Sequence, residues 1–435
     1  LNCFGSHHIK SPNIDKVADG GIIFKQAYCQ VPVCGASRAS LLTSVRPNLN
    51  RFVDYHTWAD EDVPGVLTLP EHFKNNGYHT ISNGKIFHHK LDKKESWSEL
   101  PWVPLDDVQG RKYWRDYLLP ENIETLHAAD GAGPAFEKAD VEDIDYFDGK
   151  LAERSINDLK RLKEMNKPFF LAAGFYKPHL PFNAPAKYWD LYDADQIRLP
   201  GNPHKPENAP DASMHNSGEL RAYTNIPKEG PVSDSIARLL IHGYYACVSY
   251  TDAQIGKLLS ALEELGIEEN TIVIIWGDHG WNLGEHGLWC KHCNYETSLR
   301  APIILKVPWL KGNLKTNALV EFVDIYPTLC ELSGLEIPAH VQGESLVKYI
   351  SDPDLPGKPY VFSRWKKGES VKNPEYRYTE WFDSTQTRYA EMLYDHQNDS
   401  DENYNISLDE ENADLIKRLR EENLENRIQA NEEVH

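Results

Sequence analysis

The sequence predicts an α/β fold, a doubly wound sheet with helices on its faces, and three apolar segments carry that prediction. Residues 78–82 run into Asn83-Gly84-Lys85, residues 169–175 into Tyr176-Lys177-Pro178-His179, and residues 271–276 into Gly277-Asp278-His279-Gly280. Each has the pattern of a buried strand that ends in a polar, chemically equipped loop. Helical patterns lie between them, clearest over residues 253–262, where Ile255, Leu258, Leu259 and Leu262 share a face. Alternating strands and helices make a sheet covered on both sides, and such sheets gather ligands at the carboxyl ends of their strands. The three loops are therefore expected to share one site.

The remaining elements follow in chain order. The chain opens at Leu1 with no methionine and no charged-then-apolar leader, so either an export signal has been removed or the sequence starts late. At Cys34-Gly35-Ala36-Ser37-Arg38 a thiol, a small-residue turn and a fixed cation fall within five residues. Ala39, Leu41, Leu42 and Val45 then recur at helical spacing, which puts Cys34 at a helix N-terminus, where free N–H groups favour an oxyanion. Arg38 adds planar, permanently charged donors. This is the layout of a nucleophile that handles anions.

Residues 95–150, rich in Trp, Asp, Glu and Pro, and residues 195–232, rich in Pro and Asn, read as long insertions that shape a cleft over the sheet. After about residue 345 the texture changes to short strand-like pieces at 360–365 and 377–381, then a charged helix from about 409. We divide the chain into a catalytic α/β domain, residues 1–345, and a smaller C-terminal α+β subdomain with a small antiparallel sheet and a terminal helix, residues 346–435.

A chain of 435 residues is long enough for one large core and a lobe. Its net charge of −20 speaks against nucleic-acid or anionic-membrane binding, and no apolar run approaches the roughly 20 residues that span a bilayer. A polyanionic substrate must instead meet a local basic pocket, for which Arg38, Lys85, Lys177 and Lys291 are the candidates. Seven cysteines leave at least one unpaired, and Cys34 is expected to be that one. Cys290 and Cys293 have Cys-x-x-Cys spacing without a second pair, which points to packing or a local disulfide rather than zinc.

Together these motifs resemble a known family. Cys34-x-Ala36-x-Arg38 followed by Leu41-Leu42-Thr43-Ser44-x-Arg46-Pro47 resembles the maturation signature of type I sulfatases. Gly84-Lys85-Ile86-Phe87-His88, Lys177-Pro178-His179-Leu180-Pro181-Phe182, the stretch from Gly277-Asp278-His279-Gly280-Trp281 to Gly284-Glu285-His286-Gly287, Trp289-x-Lys291 and Glu391-Met392-Leu393-Tyr394-Asp395 extend the likeness over nearly the whole chain, to the iduronate-2-sulfatase-like branch. The resemblance implies an alkaline-phosphatase-like large mixed sheet flanked by helices. It also implies that a maturation enzyme oxidises Cys34 to formylglycine and that calcium is bound by Asp278, His279 and the modified residue 34. Lys85, Lys177 and Lys291 would contact sulfate or the nucleophile, His88 would hydrogen-bond one of them, and His179 would be the general acid. Trp281, His292 and Arg377 are candidates for sugar contacts.

In that family an Asp-Asp pair that binds calcium precedes a segment like Leu1-Asn2-Cys3-Phe4-Gly5, and this sequence begins after that point. The expectation is a sequence that starts late; the alternative is a form with impaired metal binding.

Sulfate-ester chemistry explains the residue set. The ester is an anion that repels nucleophiles, so its oxygens must be neutralised, a strong nucleophile presented and the departing hydroxyl protonated. A plain thiol would end as a stable S-sulfo adduct, which makes oxidation of Cys34 central. The expected substrate is a carbohydrate O-sulfate, in a uronic-acid-containing polysaccharide of ulvan or glycosaminoglycan type, met in the periplasm or outside the cell. The rivals are a phosphonate or phosphate ester hydrolase of the same superfamily and a non-catalytic binder of sulfated glycans.

Overall fold

The computed structural model describes residues 1–104, 115–129 and 132–432. Its strands are β1 (Ile22–Tyr28), β2 (His79–Gly84), β3 (Phe136–Ala139), β4 (Phe169–Gly174), β5 (Phe182–Pro185), β6 (Val273–Trp276), β7 (Asn282–Leu283), β8 (Trp289–Cys290), β9 (Ile303–Lys306), β10 (Leu314–Glu321), β11 (Val361–Trp365), β12 (Gly368–Lys372), β13 (Tyr376–Phe382) and β14 (Arg388–Asp395). The segments predicted around residues 78–82, 169–175 and 271–276 are β2, β4 and β6, and the pattern at 253–262 lies inside the long helix Asp234–Glu264.

The catalytic sheet is mixed, as the resemblance implies. One piece has the order β10-β1-β9-β6 and the other is β2-β4. β1 runs parallel to β10, with Ile22 opposite Leu314 and Tyr28 opposite Glu321, whereas β9 is antiparallel to both β1 and β6. The reversal at β9 has a local cause. The chain between β6 and β9 holds short helical turns, Glu285–Gly287 and Glu296–Leu299, and lacks the crossover helix that a parallel return requires. β2 and β4 pair in parallel from His79 and Phe169 to Gly84 and Gly174.

The remaining edges of β4 and β6 are unpaired among the described residues. Both strands line a cavity of about 1900 Å³ that also takes in Leu258, Leu259, Leu262, Cys34 and Arg38. That explains why such apolar strands are only half-buried along their length while β1 is mostly buried.

The core packs Phe24, Tyr28, Leu41, Leu42, Phe322 and Tyr326 around β1 and the wholly buried helix Cys34–Thr43. Tyr349 joins it, edge-on to Phe24 at 6.2 Å. A second cluster of Phe182, Trp189, Leu240, Tyr250 and Trp289 sits around the Asp234–Glu264 helix. That helix also fixes the start of the chain: buried Asp252 accepts backbone N–H bonds from Asn13 (3.3 Å) and Ile14 (2.8 Å), serving the free donors of the Pro12–Asp19 helix.

The C-terminal sheet is an antiparallel meander, β11-β12-β13-β14. Its side chains alternate as a pleat requires. Val371, Tyr378 and Leu393 pack on Ile416 and Leu419 of the Ala413–Ala430 helix, while Trp381, Met392 and Tyr394 face Leu288, Cys293 and Tyr295 of the catalytic region.

The insertion at 95–150 is more ordered than its weak periodicity suggested. It contributes the helix Pro120–Ala128, and β3, which pairs in parallel with β5; residues 105–114, 130 and 131 lie outside the described set. All seven cysteines are free, so Cys290 and Cys293 form no local disulfide. Among the described residues, no helix is long and apolar enough to cross a membrane.

Candidate active site

The site assembles where the carboxyl ends of β2, β4 and β6 meet the first turn of the Cys34–Thr43 helix. At the end of β2, Gly84 has φ +78°, and a Cβ there would lie 2.3 Å from the Gly174 carbonyl, so only glycine allows the two strand ends to approach as the chain turns toward Lys85. Arg38, one turn into the helix, ties the strand ends together. Its guanidinium donates to the carbonyls of Lys85 and Ile86 (3.0 Å for the latter), its Nε to Asp278 Oδ2 at 2.7 Å, and it lies 5.5 Å over the Trp276 ring. Burial raises the Asp278 carboxyl, but Arg38 and His279 outweigh it and hold the group down at about 2.

Cys34 is the first helical residue and follows the extended Val33. Its Sγ lies 3.2 Å from His279 Nε2, while His279 Nδ1 is 2.8 Å from the Gly280 carbonyl, which fixes the proton on Nδ1. Burial alone would push the thiol up. Lys85, Lys291, His279 and a hydrogen bond from His179 overcome it and hold Cys34 well below the ordinary thiol value. His88 also neighbours Cys34, its value lowered by burial and by Lys85 against a hydrogen bond with Cys34.

Lys291 closes the other side. Its Nζ is 3.1 Å from His179 Nε2, 2.6 Å from Glu219 Oε1 and 4.6 Å over the Trp281 ring. His179 Nδ1 lies 2.7 Å from the Leu180 carbonyl, while Nε2 lies between Glu219 Oε1 at 2.9 Å and the Lys291 ammonium at 3.1 Å. Glu219 is held well below the usual carboxylate range, because Lys291 and His179 outweigh its burial. The loop carrying Lys291 is strained on both sides of it, with Cys290 at φ 72° and His292 at φ 78°.

A family profile described as Sulfatase matches residues 1–335, and one described as N-sulphoglucosamine sulphohydrolase, C-terminal, matches residues 284–429. The chain belongs to the sulfatase family. It is 31% identical to iduronate 2-sulfatase of Mus musculus over 97% of this chain and 90% of that protein. Its fold is similar to that of an enzyme solved in complex with its substrate D-glucosamine-2-N,6-O-disulfate (TM-score 0.76, 20% identity, 99% of this chain and 95% of that one). It is similar also to phosphonate monoester hydrolase from Silicibacter pomeroyi (TM-score 0.80, 20% identity, 100% and 94%). The protein is thus a sulfuric ester hydrolase of the iduronate-2-sulfatase-like branch.

Around residue 34 of this sulfatase the structure gathers Arg38, Lys85, His88, His179, Asp278, His279 and Lys291, with Trp281 stacked beneath Lys291. His292, next along the loop, is turned onto Trp365 (ring centroids 4.9 Å apart). Two expectations are corrected. Lys177 was expected on the sulfate, but its ammonium donates to the Pro181 carbonyl at 2.8 Å and pairs with Asp116 at 3.6 Å, a buried structural role supported by Asp148, which accepts its backbone N–H at 2.8 Å. Arg377 was expected to reach sugar, yet it is 1% exposed and clamped between Glu296 and Glu402.

For calcium the donors within reach are Cys34, Asp278 and His279, their ligand atoms within 4.8 Å of one another. Calcium takes six to eight oxygens. One carboxylate with an oxygen already held by Arg38, one imidazole and one sulfur do not make such a shell, so the described residues by themselves do not fit the ion.

Glu219 was missed by the sequence reading. It sits on the one-turn helix Gly218–Arg221 inside the Pro- and Asn-rich insertion, where no periodicity or motif marks it; only its contacts with Lys291 and His179 single it out.

Proposed function

We propose that this sulfatase hydrolyses O-sulfate esters of a uronic-acid-containing carbohydrate, of glycosaminoglycan or ulvan type, with residue 34 converted to formylglycine by a maturation enzyme. The observation that carries the reading is the convergence of Lys85, Lys291 and His279 on Cys34 at the start of a buried helix, with His279 Nε2 3.2 Å from its Sγ. Formylglycine would supply, as its hydrate, an oxygen nucleophile that can be regenerated, which a thiol attacking sulfur cannot be.

The other steps belong to residues in place. Lys85 and Lys291 neutralise the sulfate oxygens in a buried setting, where such charge is worth more than in water. Arg38 holds Asp278 and the Lys85 carbonyl and so fixes the floor of the site. His279, its proton held on Nδ1 by the Gly280 carbonyl, offers Nε2 to the nucleophile. His179 delivers the proton from Nε2 to the departing sugar oxygen, with Glu219 and Lys291 fixing the ring, and His88 hydrogen-bonds the nucleophile from the opposite side.

Within the same reading the chain divides into a catalytic unit through residue 345 and a C-terminal subdomain, and the enzyme works in the periplasm or outside the cell. Two measurements test the activity. Peptide mass spectrometry of the active fraction is expected to find the aldehyde at position 34, and full activity with an unmodified thiol there overturns the nucleophile. Sulfate release from defined sulfated oligosaccharides, run beside phosphate and phosphonate esters, is expected to favour uronate-containing sulfates; faster turnover of a phosphonate ester would hand the site to the rival chemistry.

A further inference from the structure

Next to the nucleophile, the loop at residues 291–294 is bolted to the C-terminal subdomain. Lys291 points into the site, while His292 stacks on Trp365 with centroids 4.9 Å apart and planes 25° from parallel. Asn294 Nδ2 donates to the Gly368 carbonyl at 3.4 Å. Gly368 has no room for a side chain, since a Cβ would meet the Trp381 indole at 2.5 Å and Asn294 Oδ1 at 3.1 Å, so the β11–β12 turn is pressed against the catalytic loop. Lys366, at the tip of that turn, is exposed, lies 5.7 Å from the Trp365 ring centroid and takes part in no ion pair among the described residues. Burial and Lys291 hold His292 down at about 3, so it is a neutral ring at working pH. In a chain of net charge −20, a lysine left free beside an aromatic wall one residue from Lys291 is an unspent attraction for an anion.

We propose that Trp365 and Lys366, backed by His292, form a binding subsite for a second, anionic sugar residue attached to the one that loses its sulfate. This rests on the carbohydrate-sulfatase reading above and names what that site holds beyond the scissile bond. The indole and imidazole present flat apolar faces to a pyranose ring, and the ammonium meets a carboxylate or sulfate carried by the same unit. The C-terminal subdomain thereby takes part in substrate choice, and the clamp through Asn294 and Gly368 keeps the subsite in register with Lys291.

The test compares a sulfated monosaccharide with disaccharides whose second unit bears a carboxylate, a sulfate or neither. Lys366→Ala is expected to lower the ratio of kcat/KM for an anionic disaccharide to that for the monosaccharide about tenfold, through KM, and raising the salt to about 0.5 M is expected to erase that difference. Comparing the carboxylate with the sulfate tells which anion Lys366 meets. Trp365→Ala is expected to lower the ratio for both anionic and neutral disaccharides, with Trp365→Phe restoring most of it. Should Trp365→Ala fail to fold, Lys366→Ala and Trp365→Phe decide. Unchanged ratios in every variant, with the parent protein active on the monosaccharide, overturn the subsite alone. A parent protein that releases no sulfate from any sugar overturns the activity and the subsite with it.

Discussion

Among the described residues, two clusters bring three potential metal ligands within 4.8 Å of one another, Cys34 with Asp278 and His279, and Glu296 with His396 and Glu402. Their chemistry diverges because of what their neighbours consume. In the second cluster Arg377 donates to Glu296 and, at 3.0 Å, to Glu402; Tyr28 donates to Glu296 at 2.9 Å, the Glu296 backbone N–H to Glu402 at 2.7 Å, and Lys372 stands 2.7 Å from His396. Two arginines, Arg377 and Arg300 (3.4 Å from Glu296), meet the two carboxylates, Lys372 is lowered to about 8 by burial, and with both carboxylates consumed by their neighbours the cluster is closed. Around Cys34, Arg38 takes up Asp278, but Lys85, Lys291, His279 and His179 still converge on the thiol with Glu219 as the other acid. That excess charge awaits an anion. The same residue types thus act as glue where acceptors and donors cancel, and as a site where they do not.

The largest effect that separates the clusters is expected at residue 34, the proposed nucleophile. Cys34→Ala is expected to abolish turnover, by at least about 10⁴-fold, while moving the unfolding midpoint by less than about 3 °C, because it removes one buried atom and alanine suits the first turn of a helix. Retained activity, or a collapse of the fold, would break the comparison at once.

His179→Ala comes next. A sugar alkoxide leaves poorly without a proton and a nitrophenolate leaves readily, so the loss is expected to be roughly 10²–10⁴-fold on a sugar sulfate and much smaller on a nitrophenyl sulfate. Equal losses in kcat on both, with the fold intact, would reassign His179 to sulfate positioning and pass the acid to His88.

The meeting of Cys34 and His179 was legible in the sequence, because motifs mark both segments and the alternation of strand and helix placed their loops at one sheet edge. Lys177 and Arg377 misled for a physical reason. A side chain's residue type and its position, after a strand for Lys177 and within one for Arg377, do not say what it meets, and Lys177 pairs with Asp116 while Arg377 pairs with Glu296. Glu219 was illegible because its importance lies entirely in contacts made across 72 residues of sequence to Lys291. The antiparallel course of β9 was likewise hidden, since it depends on what the 277–302 segment fails to form.

At the closed cluster the prediction reverses: stability suffers and chemistry does not. Arg377→Met strands two buried carboxylates and is expected to cost about 3–5 kcal/mol in denaturant unfolding, with kcat of the folded fraction unchanged. A loss of kcat at full stability would restore Arg377 to the substrate. The acid limb of stability follows from the same pair. Burial raises Glu296, but Arg377 and Lys372 outweigh it and hold it at about 2, below its unfolded value of 4.5. Its contribution is therefore present above about pH 4.5 and lost as pH falls toward 2, up to about 3 kcal/mol. Glu296→Gln is expected to flatten that limb; an unchanged slope would show that other carboxylates carry it.

Calcium is expected to give the smallest effect and the finest discrimination between the clusters. The ion takes six to eight oxygens, and the open cluster offers one carboxylate with Oδ2 bound to Arg38 at 2.7 Å, while the closed cluster has both carboxylates engaged by Arg377. Stabilisation by a ligand grows as the logarithm of its concentration over its dissociation constant, so a millimolar-affinity site gains under about 0.5 kcal/mol at 1 mM. For the 435-residue chain, 1 mM calcium against a chelator is accordingly expected to shift the unfolding midpoint by less than about 2 °C. A shift several times larger that disappears in Asp278→Asn would mean the open cluster completes a metal shell by rearranging around Arg38. The same shift lost in Glu402→Gln would mean that Arg377 yields its place to the ion, and the division between glue and site drawn from these two clusters would have to be abandoned.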